Sequence, residues 1–175
     1  MEKKKIAFII GHCSIEKGAF SQTLQITEFE FWSNLSKKLW HLGDVFEHGT
    51  SKSYTTRQQL TAQKTANYDI VFELHFNSSS NRSAEGCEAL YWHKNKQGKA
   101  ISEKFCELVF EKMGIKNRGA KAISKRKENG AGFLAETKGT AVLLEPFFGS
   151  NKEDCFAFTE IEFIEVMQEL LETIL

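Results

Sequence analysis

Three short apolar runs, each delivering a polar or titratable side chain at its end, constrain the fold of this chain more than any other feature. Runs of this length, rich in β-branched and aromatic residues and bounded by turn-forming residues, predict buried strands. Sites in open α/β sheets lie outside the carboxyl ends of the strands, so the residues delivered here are candidates for one shared site. The runs cover residues 6–12, 69–77 and 141–146, and they deliver His12, then His75 with Asn77, then Glu145.

The length and composition predict one domain over residues 1–175. A content of 41% hydrophobic residues fills one core, whereas 175 residues are too few for two ordinary domains. The 23 basic and 23 acidic residues leave no net charge, so no overall field attracts nucleic acid or an anionic membrane. No apolar run approaches the roughly 20 residues that span a bilayer, so we expect no membrane insertion. We expect a monomer.

Cysteine usage and the amino terminus bear on the compartment. Cys13, Cys87, Cys106 and Cys155 are scattered without a CxxC pair, which favours reduced, mostly buried thiols over a zinc ribbon or a disulfide scaffold. Residues 1–10 mimic a signal peptide, but the apolar run is too short and no small-residue cleavage site follows it. We therefore expect a protein made in the cytoplasm that acts elsewhere only after release.

Strands and helices alternate along the chain, which predicts an α/β fold with a largely parallel sheet covered by helices. Further strands are expected over residues 44–47 and 86–92, and helices over residues 57–67 and 99–113. Residues 117–132 are rich in basic residues and glycine and are expected to form a loop. For the C-terminal helix, the predicted buried residues are Ile161, Ile164, Leu171 and Ile174.

The helix after the first strand carries an acid on its apolar stripe. Thr27 and Glu30 have the spacing of a capping box, which sets the helix start. Glu28 lies three residues before Phe31, on the predicted buried face, where an acidic side chain is unexpected unless it has a specific role. The alternative is that Glu28 only complements the helix dipole, as acids in a first turn commonly do. The apolar stripe consists of Phe31, Leu35, Leu39 and Leu42, and Gly43 ends the predicted helix.

Two histidines and one carboxylate form a sufficient ligand set for a catalytic zinc ion, because the fourth position stays open for water. His12, Glu28 and His75 are the candidates, although a single histidine at a strand end is more often a hydrogen-bonded structural residue. Glu145 is the best-placed general base, and it becomes the general acid when it returns the proton. The alternative for Glu145 is a carboxylate that pairs with a basic residue such as Arg118.

Several short motifs, in order along nearly the whole chain, resemble the zinc-dependent N-acetylmuramoyl-L-alanine amidases. This family includes sporulation and cell-division amidases and the catalytic domains of many phage endolysins. The resemblance implies a single-domain fold with a mixed, mostly parallel, twisted sheet flanked by helices. The matching segments are residues 11–12, residues 28–31 with Leu35, residues 74–77, residues 118–119, residues 142–148 and residues 150–151.

The resemblance also implies a reaction and a set of site residues. The family's zinc ligands correspond to His12, Glu28 and His75, and its catalytic glutamate corresponds to Glu145. The substrate would be the amide bond between N-acetylmuramic acid and L-alanine in peptidoglycan. Glu30 competes with Glu28 as a ligand, but the capping box explains Glu30 without a metal, and the family spacing to the following helix selects Glu28.

The chain departs from the family pattern at several positions. Residues 13–18 replace the family's glycine-rich, acidic loop, and Glu73 stands where many members have serine. Glu73, His75 and Asn77 share one face of a strand, so Glu73 either orients a ligand or forms a simple ion pair. The histidines that match nothing in the pattern are expected on the surface: His41, His48 and His93.

Other functions use the same residues differently. A zinc peptidase that cuts ordinary peptide bonds would have the same ligand set, since the ligands do not identify the acyl group. A non-catalytic α/β binding module could hold an anionic partner through the basic loop, although the neutral net charge disfavours nucleic acid. In an amidase, Arg118 could anchor a carboxylate of the stem peptide. The loop's basic residues are Arg118, Lys121, Lys125, Arg126 and Lys127.

Overall fold

The computed structural model describes residues 4–51, 53–125, 128 and 130–175. These residues form a six-stranded sheet with helices on both sides and a small two-stranded hairpin. The strands are β1 (Ile6–Ile10), β2 (Phe20–Ser21), β3 (Ile26–Thr27), β4 (Asp44–Glu47), β5 (Ile70–Leu74), β6 (Cys87–Trp92), β7 (Asn117–Ile123) and β8 (Thr140–Glu145). The helices are α1 (Glu28–Ser36), α2 (Tyr54–Lys64), α3 (Lys96–Met113), α4 (Ala131–Glu136), α5 (Lys152–Ala157) and α6 (Glu160–Ile174).

The sheet is mixed and mostly parallel, in the order β4-β1-β5-β8-β6-β7. Within this sheet of the described residues, the β4–β1, β1–β5, β5–β8 and β6–β7 pairs are parallel, and the β8–β6 pair is antiparallel. The register places Ile10 opposite Leu74 and Leu74 opposite Leu144, so β1, β5 and β8 end side by side. The predicted fold class is confirmed. Within the described residues, no helix has the length and apolar character to cross a membrane.

The two faces of the sheet are covered unequally. The larger core lies on the face that carries Phe8 and Phe72, whose rings stack at 5.7 Å beneath α1, α3 and α6. The other face carries Ala7 and Val71 and packs against a smaller apolar group from α4. Because side chains alternate along a strand, Glu73 belongs to this second face, as do Leu143 and Glu145. The thinner cover on this face leaves room for a cleft.

Helix α1 is shorter than the apolar stripe predicts. It ends at Ser36, and Lys37 is its C-cap. Beyond it, the Lys38 amide donates to the Leu35 carbonyl and the Leu39 amide to the Ser36 carbonyl, both at 2.9 Å. These tighter turns still bury Leu39 completely, so Leu39 reaches the core as its spacing predicts although the helix has ended.

The predicted basic loop over residues 117–132 is wrong, because most of this segment has regular structure. β7 forms the edge of the sheet and α4 follows it. Arg118 and Lys121 are exposed on this edge strand, where charged side chains protect unpaired backbone groups from a second chain. Arg126 and Lys127 lie outside the described residues.

The buried face of α6 was also predicted wrongly in part. Ile161 is 72% exposed, whereas Phe163, Val166 and Met167 are fully buried. Thr159 caps the helix by accepting from the Glu162 amide, which starts the helix at Glu160 and turns these residues to the core. Ile164, Leu171 and Ile174 do contact the core. The four cysteines are free and buried, as expected.

Candidate active site

His12, Glu28 and His75 come together at the carboxyl ends of β1 and β5. The His12 Nε2 atom lies 3.1 Å from Glu28 Oε2, and the His75 Nδ1 atom lies 2.8 Å from Glu28 Oε1. The two imidazole rings meet edge to face at 5.0 Å. One ligand atom from each residue can be chosen so that all three lie within 4.8 Å of one another.

The backbone around these residues explains why they converge. The Gly11 amide donates to the Leu74 carbonyl at 2.9 Å, and the His75 amide donates to the Leu144 carbonyl at 2.9 Å. His12 has a φ of +65°, a left-handed conformation that turns the chain away from the strand direction. The parallel register therefore places both histidines at the carboxyl-terminal end of the sheet.

The start of α1 brings Glu28 to the same place. The Glu28 amide donates to the Ala19 carbonyl at 2.9 Å, which fixes the first turn against the preceding loop. The predicted capping box is present: Thr27 accepts from the Glu30 amide, and Glu30 reaches back to the Thr27 amide. Glu30 also binds Lys17 at 2.6 Å on the exposed side of the turn. The capping box thus occupies Glu30 and leaves Glu28 to face the histidines.

Gly18 packs so closely against the cluster that no side chain would fit at this position. It has a φ of +74°, and a Cβ atom there would lie 2.6 Å from His12 Nε2 and 2.8 Å from Glu28 Oε2. Both distances are far inside van der Waals contact, so a side chain would displace the two polar atoms. The loop over residues 13–18, where the chain departs from the family pattern, therefore still closes over the site.

The Glu28 carboxylate is the charge that holds the cluster together. Glu28 is 3% exposed, and burial alone would raise its pKa, but the hydrogen bonds and charges of His12 and His75 lower the pKa to about 2. Burial would likewise lower the pKa of His75, but Glu28 and Glu73 raise it well above the ordinary value. Glu28 is therefore an ionised carboxylate surrounded by cationic or donor groups.

The donor set fits a zinc ion. Ligands at about 2.0 to 2.1 Å from a tetrahedral zinc lie roughly 3.3 Å apart, close to the separations between Glu28 and the two histidines. Two imidazoles and one carboxylate are also the ligand types of known catalytic zinc sites. Glu28 Oε1 additionally accepts from the Phe76 amide at 3.1 Å, which fixes the carboxylate in this orientation.

Glu145 ends β8 and lines the same cavity as the cluster. Burial raises the pKa of Glu145 to about 7, the nearby His75 opposes this shift, and the charges of Glu88 and Glu28 add to it. Arg118 does not pair with Glu145: its Nε atom donates to Glu88 Oε2 at 2.7 Å. A carboxyl group that can gain or lose a proton near neutral pH is suited to acid and base catalysis.

Asn77 and Arg118 meet at Glu88, on the β6 side of the site. The Asn77 Nδ2 atom donates to Glu88 Oε1 at 2.8 Å, while Arg118 holds the other oxygen. The Arg118 guanidinium also lies 5.0 Å from the centre of the Phe148 ring. Asn77 lines the cavity, whereas Arg118 reaches it only through its contact with Glu88, which binds Asn77.

His48 was predicted on the surface, and this prediction is wrong. It is 6% exposed, with Nδ1 at 2.8 Å from Thr61 Oγ1 and Nε2 at 2.6 Å from Glu73 Oε1. His48 follows β4 directly, much as His12 follows β1, so its place at a strand end was a usable signal. His41 and His93 are exposed, as predicted.

The cavity has a volume of about 640 Å³ and continues from the cluster across the second face of the sheet to α2. Its wall includes Arg57, which the sequence analysis did not single out. Arg57 is 3% exposed, donates to the Ser51 carbonyl at 2.7 Å and pairs with Glu16. Its position in a helix predicted from pattern alone gave no sign that it faces a cleft.

Comparisons with known proteins identify a family and similar folds. A family model described as N-acetylmuramoyl-L-alanine amidase matches residues 6–174. The fold is similar to the catalytic domain of the CD27L endolysin targeting Clostridia difficile, with a TM-score of 0.79, 23% identity and 98% of each chain covered. It is also similar to the CwlD amidase from Clostridioides difficile, solved in complex with the GerS lipoprotein, with a TM-score of 0.76 and 18% identity over 97% of this chain and 95% of that one.

A third similar structure is the catalytic domain of CwlV, an N-acetylmuramoyl-L-alanine amidase from Bacillus (Paenibacillus) polymyxa var. colistinus. Its TM-score is 0.70 at 18% identity, with 97% of this chain and 95% of that chain covered. No curated protein sequence matches the chain significantly. These structural similarities concern the fold, and the family model extends over nearly the whole chain.

Proposed function

The chain belongs to the N-acetylmuramoyl-L-alanine amidase family, and we propose that it is a zinc-dependent hydrolase that cleaves the bond between N-acetylmuramic acid and L-alanine in peptidoglycan. The observation that carries the zinc dependence is the convergence of His12, Glu28 and His75 beside Glu145 in one cleft. The proposed substrate is inferred from membership of the family. The ligand set supplies the chemistry of amide hydrolysis.

In this proposal His12, Glu28 and His75 hold the metal. Zinc bound there would activate a water molecule at neutral pH and polarise the amide carbonyl. The low pKa of Glu28, about 2, keeps this carboxylate ionised over the whole working pH range. The hydrogen bond from the Phe76 amide to Glu28 and the close packing of Gly18 restrict the positions of the ligands, so little reorganisation is needed when the ion binds.

Glu145 moves the proton. As a carboxylate it accepts a proton from the attacking water, and as a carboxylic acid it then donates that proton to the leaving nitrogen of L-alanine. A pKa raised to about 7 suits both steps, because neither protonation state is strongly disfavoured near neutral pH. Glu145 is thus assigned as a proton carrier and not as a ligand.

Three further residues support the site in this proposal. Glu73 faces His75 and orients it, while Asn77 lies in the cavity wall, where its amide can meet the substrate. Arg118 acts mainly through Glu88, which it shares with Asn77, and its exposed guanidinium edge is left for a carboxylate of the stem peptide.

We also propose that the enzyme reaches the cell wall after release or within a lysis system, as the catalytic part of an endolysin would. The similarity to an endolysin catalytic domain supports this proposal. The test adds purified protein to intact cells and to isolated cell walls. Lysis of walls without lysis of intact cells is expected if release precedes action, and inactivity on both would contradict it.

The metal and substrate are tested together on purified protein. We expect one zinc ion per chain by elemental analysis, and release of free L-alanine amino termini from muropeptides but not from linear peptides. His75→Ala removes one of three ligands and should abolish both zinc content and hydrolysis. A variant that still holds one zinc per chain would show that the ligands are misassigned, and cleavage of linear peptides would favour a zinc peptidase.

A further inference from the structure

A buried histidine lies behind the metal site, and the reaction proposed above does not use it. We propose that His48 is a positioning residue: through Glu73 it fixes the ring of His75 so that Nδ1 is the nitrogen presented to the metal. This inference rests on the proposed function, since it concerns the same ligand cluster. His48 makes no direct contact with the three ligands among the interactions of the described residues.

The polar contacts form a continuous chain from α2 to the cluster. His48 Nδ1 lies 2.8 Å from Thr61 Oγ1, and His48 Nε2 lies 2.6 Å from Glu73 Oε1. The second oxygen of Glu73, Oε2, lies 3.6 Å from His75 Nε2. On its other side, His75 Nδ1 lies 2.8 Å from Glu28 Oε1. Glu73 therefore stands between two histidines and gives one oxygen to each.

The direction of these contacts decides which nitrogen of His75 is free. An ionised carboxylate only accepts hydrogen bonds, so the proton between His48 and Glu73 belongs to His48 Nε2. Both oxygens of Glu73 face imidazole nitrogens, Oε1 that of His48 at 2.6 Å and Oε2 that of His75 at 3.6 Å. His75 Nδ1 points to Glu28, its fellow ligand, and Nε2 points to Glu73, so a metal shared with Glu28 would replace the proton on Nδ1 while Nε2 keeps its proton toward Glu73.

Glu73 needs His48 to stay in this orientation. Glu73 is 2% exposed, and a buried carboxylate is tolerated only when charged or donor groups pair with it. The short contact to His48 occupies Oε1 and fixes the rotation of the carboxylate, which points Oε2 at His75. Without His48, the carboxylate is free to rotate, and its Oε2 atom no longer restrains the His75 ring.

His48 is in turn fixed by its surroundings. It follows β4, and Thr61 on α2 binds its Nδ1 atom. Thr61 is itself 1% exposed, and its hydroxyl lies 2.9 Å from the Arg57 carbonyl one helical turn back. The position of His75 thus depends on β4 and α2, two elements that supply no ligand.

The test measures zinc affinity, which needs no activity. Metal-free wild type, His48→Gln and Glu73→Gln are titrated with zinc against a chromophoric chelator, with His93→Gln as the exposed control. Loss of an outer hydrogen-bond partner typically weakens metal binding about 10- to 100-fold, and we expect this range for both buried variants. The His93→Gln variant should match wild type. The double variant should bind no more weakly than Glu73→Gln, because both changes break the same chain of contacts.

The outcomes separate this inference from the proposed function. If wild type binds zinc and His48→Gln binds it equally well, the role of His48 is overturned while the proposed function stands. If wild type binds no zinc, both fall. Thermal unfolding of the metal-free proteins checks that each variant is folded.

A second measurement needs no variant. In the zinc-loaded wild type, ¹⁵N chemical shifts of the histidine rings should show the metal at Nδ1 of His75 and a proton at Nε2. Coordination through Nε2 would overturn the inference, because Glu73 would then face a nitrogen that carries the metal.

Discussion

At the scale of single residues, the Glu28 carboxylate is a buried charge that its neighbours stabilise. It is almost fully buried, yet two histidines and a backbone amide satisfy it, and its pKa falls to about 2. A carboxylate at the first position of a helix has free backbone donors near it, which adds to this preference for the charged form. The same residue explains why the two histidines from different strands lie close together.

Glu145→Gln should separate catalysis from metal binding. The glutamine keeps the volume and hydrogen-bonding capacity of the side chain but cannot carry the proton, so zinc content should be unchanged. A positioned general base contributes about 100-fold to 10,000-fold, and we expect kcat to fall by at least that order. Steady-state kinetics on muropeptides and elemental analysis measure both effects, with Glu47→Gln, exposed at the end of β4, as the control.

Two results would contradict this assignment of Glu145. Near-normal hydrolysis by the glutamine variant would remove Glu145 from the mechanism. Loss of zinc in the same variant would instead make Glu145 a ligand and reopen the role of Glu28.

Arg118→Ala should raise KM more than it lowers kcat. The guanidinium holds Glu88, and through it Asn77, at the edge of the cavity, away from the reacting atoms. Its loss should therefore weaken substrate binding in the ground state and leave the chemical step nearly intact. Lys121→Ala, an exposed change on the same strand, is the matched control. An unchanged KM for Arg118→Ala would leave this residue with a structural role only.

At the scale of elements, strand ends and one helix start build the site. β1, β5 and β8 end in register, and the capping box begins α1 so that Glu28 points at them. The positions of the three proposed ligands and of Glu145 are therefore set by the backbone of four elements. The loop between β1 and β2 adds the close contact of Gly18 with His12 and Glu28.

The buried face of α6 can be tested by a pair of variants on the same helix. Phe163 is fully buried against Trp32, with ring centres 5.2 Å apart, whereas Ile161 is 72% exposed. Phe163→Ala should lower the free energy of unfolding by about 3 to 5 kcal/mol, because it leaves a cavity in the larger core. Ile161→Ala should change it by no more than about 0.5 kcal/mol. Equal losses in urea denaturation would mean that α6 packs differently.

At the scale of the whole molecule, the cleft lies on the less covered face of the sheet. The large core on the other face supplies most of the buried apolar surface, so the second face can hold acids at some cost in stability. Glu145 is one such acid. Its ionisation in a partly buried position is unfavourable to the folded state.

This cost predicts how stability depends on pH in the metal-free protein. The pKa of Glu145 is raised from 4.5 to about 7, so the folded state binds the proton more tightly than the unfolded state does. The contribution of Glu145 to stability is therefore fully present below pH 4.5 and is lost as the pH rises to about 7. At about 1.4 kcal/mol per pKa unit, the loss is at most about 3.5 kcal/mol, and partial exposure to the cleft reduces it.

Glu145→Gln should abolish this dependence. Relative to wild type, the variant should gain stability progressively between pH 4.5 and about 7 and keep a constant advantage above that. Chemical denaturation at pH 4, 6 and 8 measures it, in the presence of a chelator. A difference between the two proteins that does not change with pH would show that Glu145 titrates normally.

The sequence alone determined the elements that carry the site. Apolar runs of five or six residues identify β1, β5 and β8, and the Thr27 and Glu30 pair identifies the start of α1. These signals are local, because the burial of a strand and the cap of a helix can both be predicted from a few neighbouring residues. The confirmed family and fold class follow from the same short segments taken in order.

Tertiary structure alone decided what lies behind and around those residues. His48 can be buried because Glu73 and Thr61, on two other elements, lie within hydrogen-bond distance of its two ring nitrogens. Arg57 reaches the cavity, and Ile161 faces solvent, because of how whole helices are set against the sheet. A side chain's partners across the fold depend on strand order and helix orientation, which no local pattern encodes.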